Sequence, residues 1–236
     1  MRIAAIGDIH CKADSRGLVE ELLGEASREA EVLVLAGDLT DRGRIEEMEV
    51  LLEGLSRLPV PVVAVLGNHD HEQEHAEILF NMMEAGGVHA LDSTTCVIGG
   101  VGFIGAKGFG GGFGARRIQP FGEKAIKDFV NASVNEVLRM EQALQGLGTR
   151  RKVGVVHYAP IRETLHGEAA ELYPFMGSSL LADAFDRCGA DVVFHGHAHN
   201  GSPSGRTAGN IPVHNVSRFV RKRMGLPPYL LYALPR

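Results

Sequence analysis

The chain is short of sulfur chemistry. Its three cysteines, Cys11, Cys96 and Cys188, are widely spaced and odd in number, which argues against a disulfide framework and any CxxC metal or redox site. It also lacks an uninterrupted apolar run long enough to span a bilayer, so no membrane partner is expected. The start, "MRIAAIGDIH", carries no long apolar segment followed by a small-residue cleavage site, and cytoplasmic localisation is the expectation. An excess of positive charge is missing as well. Net charge is -5 over 236 residues, which argues against a general nucleic-acid or anionic-surface binder. Basic clusters do occur at 116–117, 150–152 and 218–223, and they read chiefly as solvated surface charge.

What is present fits an ordinary globular protein with a sizeable core: 44% hydrophobic and 22% charged residues, with no linker or low-complexity tract to divide it. One domain over residues 1–236 is expected. The first seventy residues repeat a rhythm. "RIAAIG", "VLVLAG" and "VPVVAVLG" read as buried strands. Between them lie two amphipathic helices, marked by Leu18, Val19, Leu22, Leu23 and Ala26 and then by Ile45, Met48, Leu51, Leu52 and Leu55. Strand, helix, strand at about thirty residues per unit is the βαβ signature of parallel strands covered by helices. Further along, 93–106 reads as two short strands and 107–114 ("KGFGGGFG") as a glycine-rich loop. Residues 121–147 carry Ile126, Phe129, Val130, Val134, Val137 and Leu138 at helical spacing. "KVGVVH", "ADVVFH", "IPVHNV" and "PYLLYAL" resume strands, and Ser178 or Ser179 caps a helix near 178–187.

The chemistry gathers just past the strands. "GDIH" gives Asp8 and His10, "GDLTD" gives Asp38 and Asp41, and "GNHD" gives Asn68, His69 and Asp70. Later strands end in His157 and in "HGHAH", which holds His195, His197 and His199. Asp8, Asp38 and Asn68 stand one βαβ period apart. Ligands of α/β sheets sit at the carboxyl ends of the strands, so these side chains should converge along one edge. Two Asp, one Asn and several His exceed what a structural hydrogen-bond network needs, and suffice for two divalent ions sharing a carboxylate. Carboxylate, amide and imidazole donors without thiolate point to Mn, Fe or Zn.

"GDIH", "GDLTD", "GNHD", the "VVHYAP" histidine and "GHAH", in that order, resemble the calcineurin-like metallophosphoesterases. The resemblance covers residues 8–199. It implies an α/β fold of two sheets packed as a sandwich and flanked by helices (αββα), with the metal site at strand C-terminal ends. It also implies that Asp8, His10, Asp38 and His199 hold one ion, that Asp38, Asn68, His157 and His197 hold the other, and that Asp38 bridges. His195 falls outside the family's motif and reads as a packed, hydrogen-bonded residue.

Two ions roughly 3.5–4 Å apart neutralise phosphate oxygens and hold a water that is ionised near neutral pH, as a metal-bound hydroxide that attacks phosphorus. His69 is then the expected proton donor to the leaving group, oriented by Asp70. Asp41 is expected to steady the loop or a ligand histidine. Arg42 is a candidate phosphate contact, because "GDLTDRG" resembles the protein Ser/Thr phosphatase branch. That branch precedes its "GNH" with another arginine, where this chain has "AVLGNHD". Arg116 or Arg117, beside the glycine-rich loop, could reach phosphate if 108–114 is a mobile wall of the cleft; an ordinary surface loop is the equal alternative.

Two motif matches fail on context. "HEQEH" (71–75) matches the zinc-protease pattern, but follows "GNHD" and reads better as a polar first helical turn. "GVGFIG" (100–105) matches a dinucleotide fingerprint, yet no helix follows it. His166, Glu168, Glu171 and Tyr173 could line the pocket. The expected activity is a metal-dependent phosphoesterase, with a small or nucleotide phosphodiester as substrate. A phosphomonoesterase or nuclease is the alternative within the family, the last disfavoured by charge. A catalytically silent, metal-binding scaffold for protein partners is the rival of another class, and would show gaps among the ligands. The sequence does not give the oligomeric state.

Overall fold

A computed structural model of the chain describes residues 1–235. Its central strands are apolar on both faces because both faces are covered. In β1 (Arg2–Ile6), Ile3 and Ala5 point to one side and Ala4 and Ile6 to the other. In β2 (Val32–Ala36), Val32, Val34 and Ala36 join the first pair, while Leu33 and Leu35 join the second. The first set meets Phe103, Val153, Val155 and Phe194 of a second sheet. The second set meets Val19, Leu23, Met48 and Leu51 of α1 (Arg16–Arg28) and α2 (Ile45–Leu55).

The first sheet has five strands in the order β11-β1-β2-β3-β4. Here β3 is Val62–Val65, β4 is His89–Ala90 and β11 is Leu230–Ala233; all neighbours are parallel except β11 with β1. The second sheet has six, in the order β5-β6-β7-β8-β10-β9. These are β5 (Thr94–Ile98), β6 (Val101–Ala106), β7 (Arg151–Val156), β8 (Val192–His195), β9 (Ser204–Arg206) and β10 (Pro212–Asn215). Only its edge pairs, β5 with β6 and β9 with β10, are antiparallel. Its outer face is covered by α4 (Lys124–Gly146) and α6 (Ser179–Cys188), through Val137, Met140, Leu144, Leu181 and Phe185. Two mixed sheets lie between helices, as expected.

Several local expectations shift. The buried stripe of α4 is Val130, Ser133, Val137, Met140 and Leu144. Leu138 is exposed because it lies off that i, i+3, i+4 face, and Ile126 because it sits in the first turn of α4, before the buried stripe begins. Residues 71–75 are not a first helical turn: a 3₁₀ turn at His69–His71 and a bend precede α3 (Ala76–Ala85). Ser178 is the cap of α6, accepting from the Leu180 amide at 3.3 Å. Between α4 and α6 lies a short helix, α5 (Tyr173–Met176), and after β10 comes α7 (Arg218–Arg223); neither shows in the sequence pattern. No helix among the described residues is long and apolar enough to cross a membrane.

Candidate metal centre

Three of the central parallel strands, β1, β2 and β8, end in sharp turns. Asp8, His10, Asp38 and His197 all have positive φ, and they are four of the seven non-glycine residues in that state among those described. The left-handed region costs an ordinary residue energy, and such strain collects at functional sites. The flanking glycines are dictated by crowding. A Cβ on Gly37 would stand 2.4 Å from His157 Nδ1, and one on Gly67 would stand 2.2 Å from the Asp38 amide nitrogen.

The turns bring the expected side chains into two groups. Asp8, His10, Asp38 and His199 offer donor atoms within 4.8 Å of one another, and so do Asp38, His157 and His197. Asn68 joins the second group, its Oδ1 lying 2.9 Å from His157 Nε2. Asp38 belongs to both.

The hydrogen positions follow from the neighbours. His157 Nδ1 lies 3.0 Å from the Ala36 carbonyl, which only accepts, so Nδ1 carries the hydrogen. Burial holds this imidazole well below its ordinary pKa, and it is neutral. Nε2 therefore presents a lone pair to two more acceptors, Asn68 Oδ1 and Asp38 Oδ1, the latter at 3.3 Å. In the first group His10 Nε2 and His199 Nε2 face each other at 3.5 Å. Burial pushes His10 and His197 down to about 4. Burial also lowers His199, but its hydrogen bond to Asp8 and the Asp8 charge raise it overall.

The carboxylates are as unbalanced as the imidazoles. Burial, reinforced by the charges of Asp8 and Asp70, pushes Asp38 up to about 9. Burial also raises Asp8, but the His199 hydrogen bond and the charges of His157 and His199 outweigh it and hold Asp8 low. Asp8 Oδ1 accepts from the His197 amide at 2.9 Å, whereas its buried Oδ2 has no partner. Crowded lone pairs, an orphaned buried carboxylate oxygen and neutral imidazoles are what divalent ions satisfy. The donor set fits.

Around this set the expected roles sort differently. His69 donates Nδ1–H to the Asp41 carbonyl at 2.7 Å and turns Nε2 towards Asp38 Oδ2 at 4.0 Å. Asp70 does not orient it, which corrects the expectation. Consecutive residues of a 3₁₀ turn point about 120° apart, and the Asp70 carboxylate faces the other way. It accepts from the Leu39, Thr40 and Gly67 amides and the Thr40 hydroxyl, tying the Asp38 loop to the Asn68 loop. Burial raises its pKa against those hydrogen bonds. Asp41 stands 3.7 Å from His10 Nδ1. Arg42 is exposed, with Nε 3.9 Å from Asp41 Oδ2. Neither Arg116 nor Arg117 joins the cluster. Arg117 binds Asp183 at 2.9 Å, and Arg116 lines a separate cavity with Arg162 and Tyr173. The glycine-rich loop is strapped down, with Gly111 and Gly112 donating to the carbonyls of Pro174 and Gly177. His195 is fully buried, its Nδ1 donating to Gly196 O and its Nε2 facing the Thr164 hydroxyl.

Residues outside the expected ligand set complete the walls. The Tyr158 ring lies 4.4 Å from that of His197, and the Phe219 ring 4.5 Å from that of His199. Glu168 accepts from the backbone and side chain of Asn200, beside His199. Arg223 donates to the carbonyls of His199, Asn200 and Gly201, and Arg221 to that of Pro227. The basic cluster at 218–223 is thus largely spent on the chain's own carbonyls. Nothing in its spacing announces this.

The family model for calcineurin-like phosphoesterases matches residues 1–201. No curated protein matches the sequence. A solved chain of similar length shares the fold at a TM-score of 0.63 and 16% identity, with 99% of each chain covered. Two structures from Thermus thermophilus are also similar. One, a hypothetical protein, has a TM-score of 0.53 and 17% identity over 91% of this chain and 75% of its own. The other, TT1561, has a TM-score of 0.57 and 14% identity over 93% and 90%. A putative 5'-nucleotidase from Staphylococcus aureus, in complex with alpha-ketoglutarate, reaches 0.50 at 14% identity, covering 91% of this chain but 48% of that one. At these identities the likeness is one of fold.

Proposed function

The chain belongs to the calcineurin-like phosphoesterase family, and from that premise we propose that it hydrolyses small or nucleotide phosphodiesters with two divalent ions. Asp8, His10, Asp38 and His199 would hold one ion. Asp38, Asn68, His157 and His197 would hold the other. Manganese is the ion to load first, since this donor set suits Mn, Fe and Zn. The observation that carries the reading is at His157: a neutral ring, protonated on Nδ1 by the Ala36 carbonyl, aims its bare Nε2 at two oxygen acceptors. A divalent cation placed among them would satisfy all of those lone pairs at once.

Ions bound there supply the positive charge that an anionic ester needs and acidify water near neutral pH. The chain's own residues do the rest. Asp38 fixes the spacing of the two groups and accepts the His69 amide at 2.9 Å. Asp70 keeps the loops of Asp38 and Asn68 in one register. His69 is 37% exposed, where His157 is fully buried. With Nδ1–H committed to Asp41, its Nε2 is the atom that carries a proton to the leaving oxygen.

The test is kcat/KM of the Mn-loaded protein on a chromogenic phosphodiester and on the matching monoester. Turnover with preference for the diester is expected. Preference for the monoester would replace the substrate class with that of a phosphomonoesterase. Absence of turnover on both, with metal bound, would sink the enzyme reading in favour of a scaffold.

A further inference from the structure

Arg218 stands where the arginines expected from sequence do not. It opens α7, beyond the 1–201 stretch that the family model matches. Its amide donates to the Gly7 carbonyl and its Nε to the Asp8 carbonyl, at 3.1 and 2.9 Å. Its guanidinium carbon lies 4.8 Å over the Phe219 ring. That same ring packs on His199 at 4.5 Å and on His10 at 5.7 Å. The guanidinium is therefore fixed in position and tilt beside the Asp8, His10, Asp38 and His199 group. Nε is used. The two terminal nitrogens have no hydrogen-bond partner among the described residues, and the side chain is only partly buried.

A guanidinium held by Nε and stacked on an aromatic face presents Nη1 and Nη2 as a rigid fork, the geometry that matches two oxygens of a phosphate. Lysine would offer a point charge with no such edge. Two ions beside Asp8 and Asp38 would also leave the site net positive, so an oxyanion is drawn to it. We propose that Arg218 binds the phosphoryl oxygens of the substrate through Nη1 and Nη2, adjacent to the ion held by Asp8, His10, Asp38 and His199. The assignment rests on the phosphoesterase reading and names a contact which that reading leaves open. Arg42, Arg116 and Arg117 are then not the phosphate contacts.

The experiment titrates inorganic phosphate into Mn-loaded wild type, Arg218→Lys and Arg218→Met by calorimetry, with metal content measured on the same samples. Arg218→Lys can still reach the Asp8 carbonyl, so it separates the fork from the anchor. Hydrogen bonds to charged groups support a loss of roughly ten- to hundredfold in phosphate affinity for Arg218→Met, with a smaller loss for Arg218→Lys. Metal content should hold in both, and KM for the ester should rise more than kcat falls. Phosphate affinity within about twofold of wild type, with metal retained, would overturn the assignment. So would loss of metal in step with phosphate in both variants, since Arg218 would then be a staple for the Asp8 loop. A wild type that retains no divalent metal would overturn the phosphoesterase reading, and this assignment with it.

Discussion

The two ligand groups share Asp38 but are built differently. The group of Asn68, His157 and His197 is a product of the sheets. His157 is the first residue after β7, fully buried, and the Ala36 carbonyl at the end of β2 sets its tautomer. The group of Asp8, His10 and His199 takes two members from the turn after β1 and leans on the end of the chain for the third. His199 is 34% exposed and is held by Phe219 packing and by Arg223 on the carbonyls of 199–201. A donor preset by parallel strands loses little freedom on binding an ion; one held by a six-residue helix loses more. The difference predicts one tight and one exchangeable ion.

The largest effect should come from removing what the groups have in common. Asp38→Ala is expected to empty both and lower kcat/KM by more than about 10³. Metal analysis alongside the assay decides it. Turnover near wild type, or one ion fully retained, would sink the bridging role.

The next effect breaks one side at a time. After dialysis against a chelator, wild type should keep the ion of His157 longer than that of His10. His10→Ala should then hold about one ion per chain and His157→Ala less, because the latter deletes the preset donor. The reverse order of retention would dismiss the contrast between the two groups.

This contrast also marks what was legible in the sequence. The seven expected ligands come together because each lies just past a strand, and parallel strands put their ends on one edge. Period and motif carry that much. Asp70 departs from its expected role because neighbours in sequence are not neighbours in space across a 3₁₀ turn. Phe219, Arg218 and Arg223 were unreadable for another reason. Their segment is tied to β1 and β8 by backbone bonds, Gly7 N to Val216 O and Val216 N to His195 O. A basic run at the end of a chain looks like surface charge until those bonds are known. Tertiary contacts, not local pattern, give them their roles.

The smallest effect tests the imidazole that belongs to neither group. His195 ends β8, just before the loop of His197 and His199, and is satisfied by Gly196 O and Thr164 Oγ1. Burial pushes it down from 6.5 to about 4, so the unfolded chain takes up a proton there before the folded one does. Stability from this residue is complete above pH 6.5. It is lost as pH falls from 6.5 to about 4, by about 3 kcal/mol in all, and is constant below. For a chain of this size that is up to about 10 °C in Tm. His195→Gln keeps an N–H for Gly196 O and an acceptor for Thr164 but cannot titrate. Melting curves of the metal-free variant should therefore fall less steeply with acid than those of wild type. Parallel curves would mean that His195 takes up its proton in the folded state as readily as in the unfolded one.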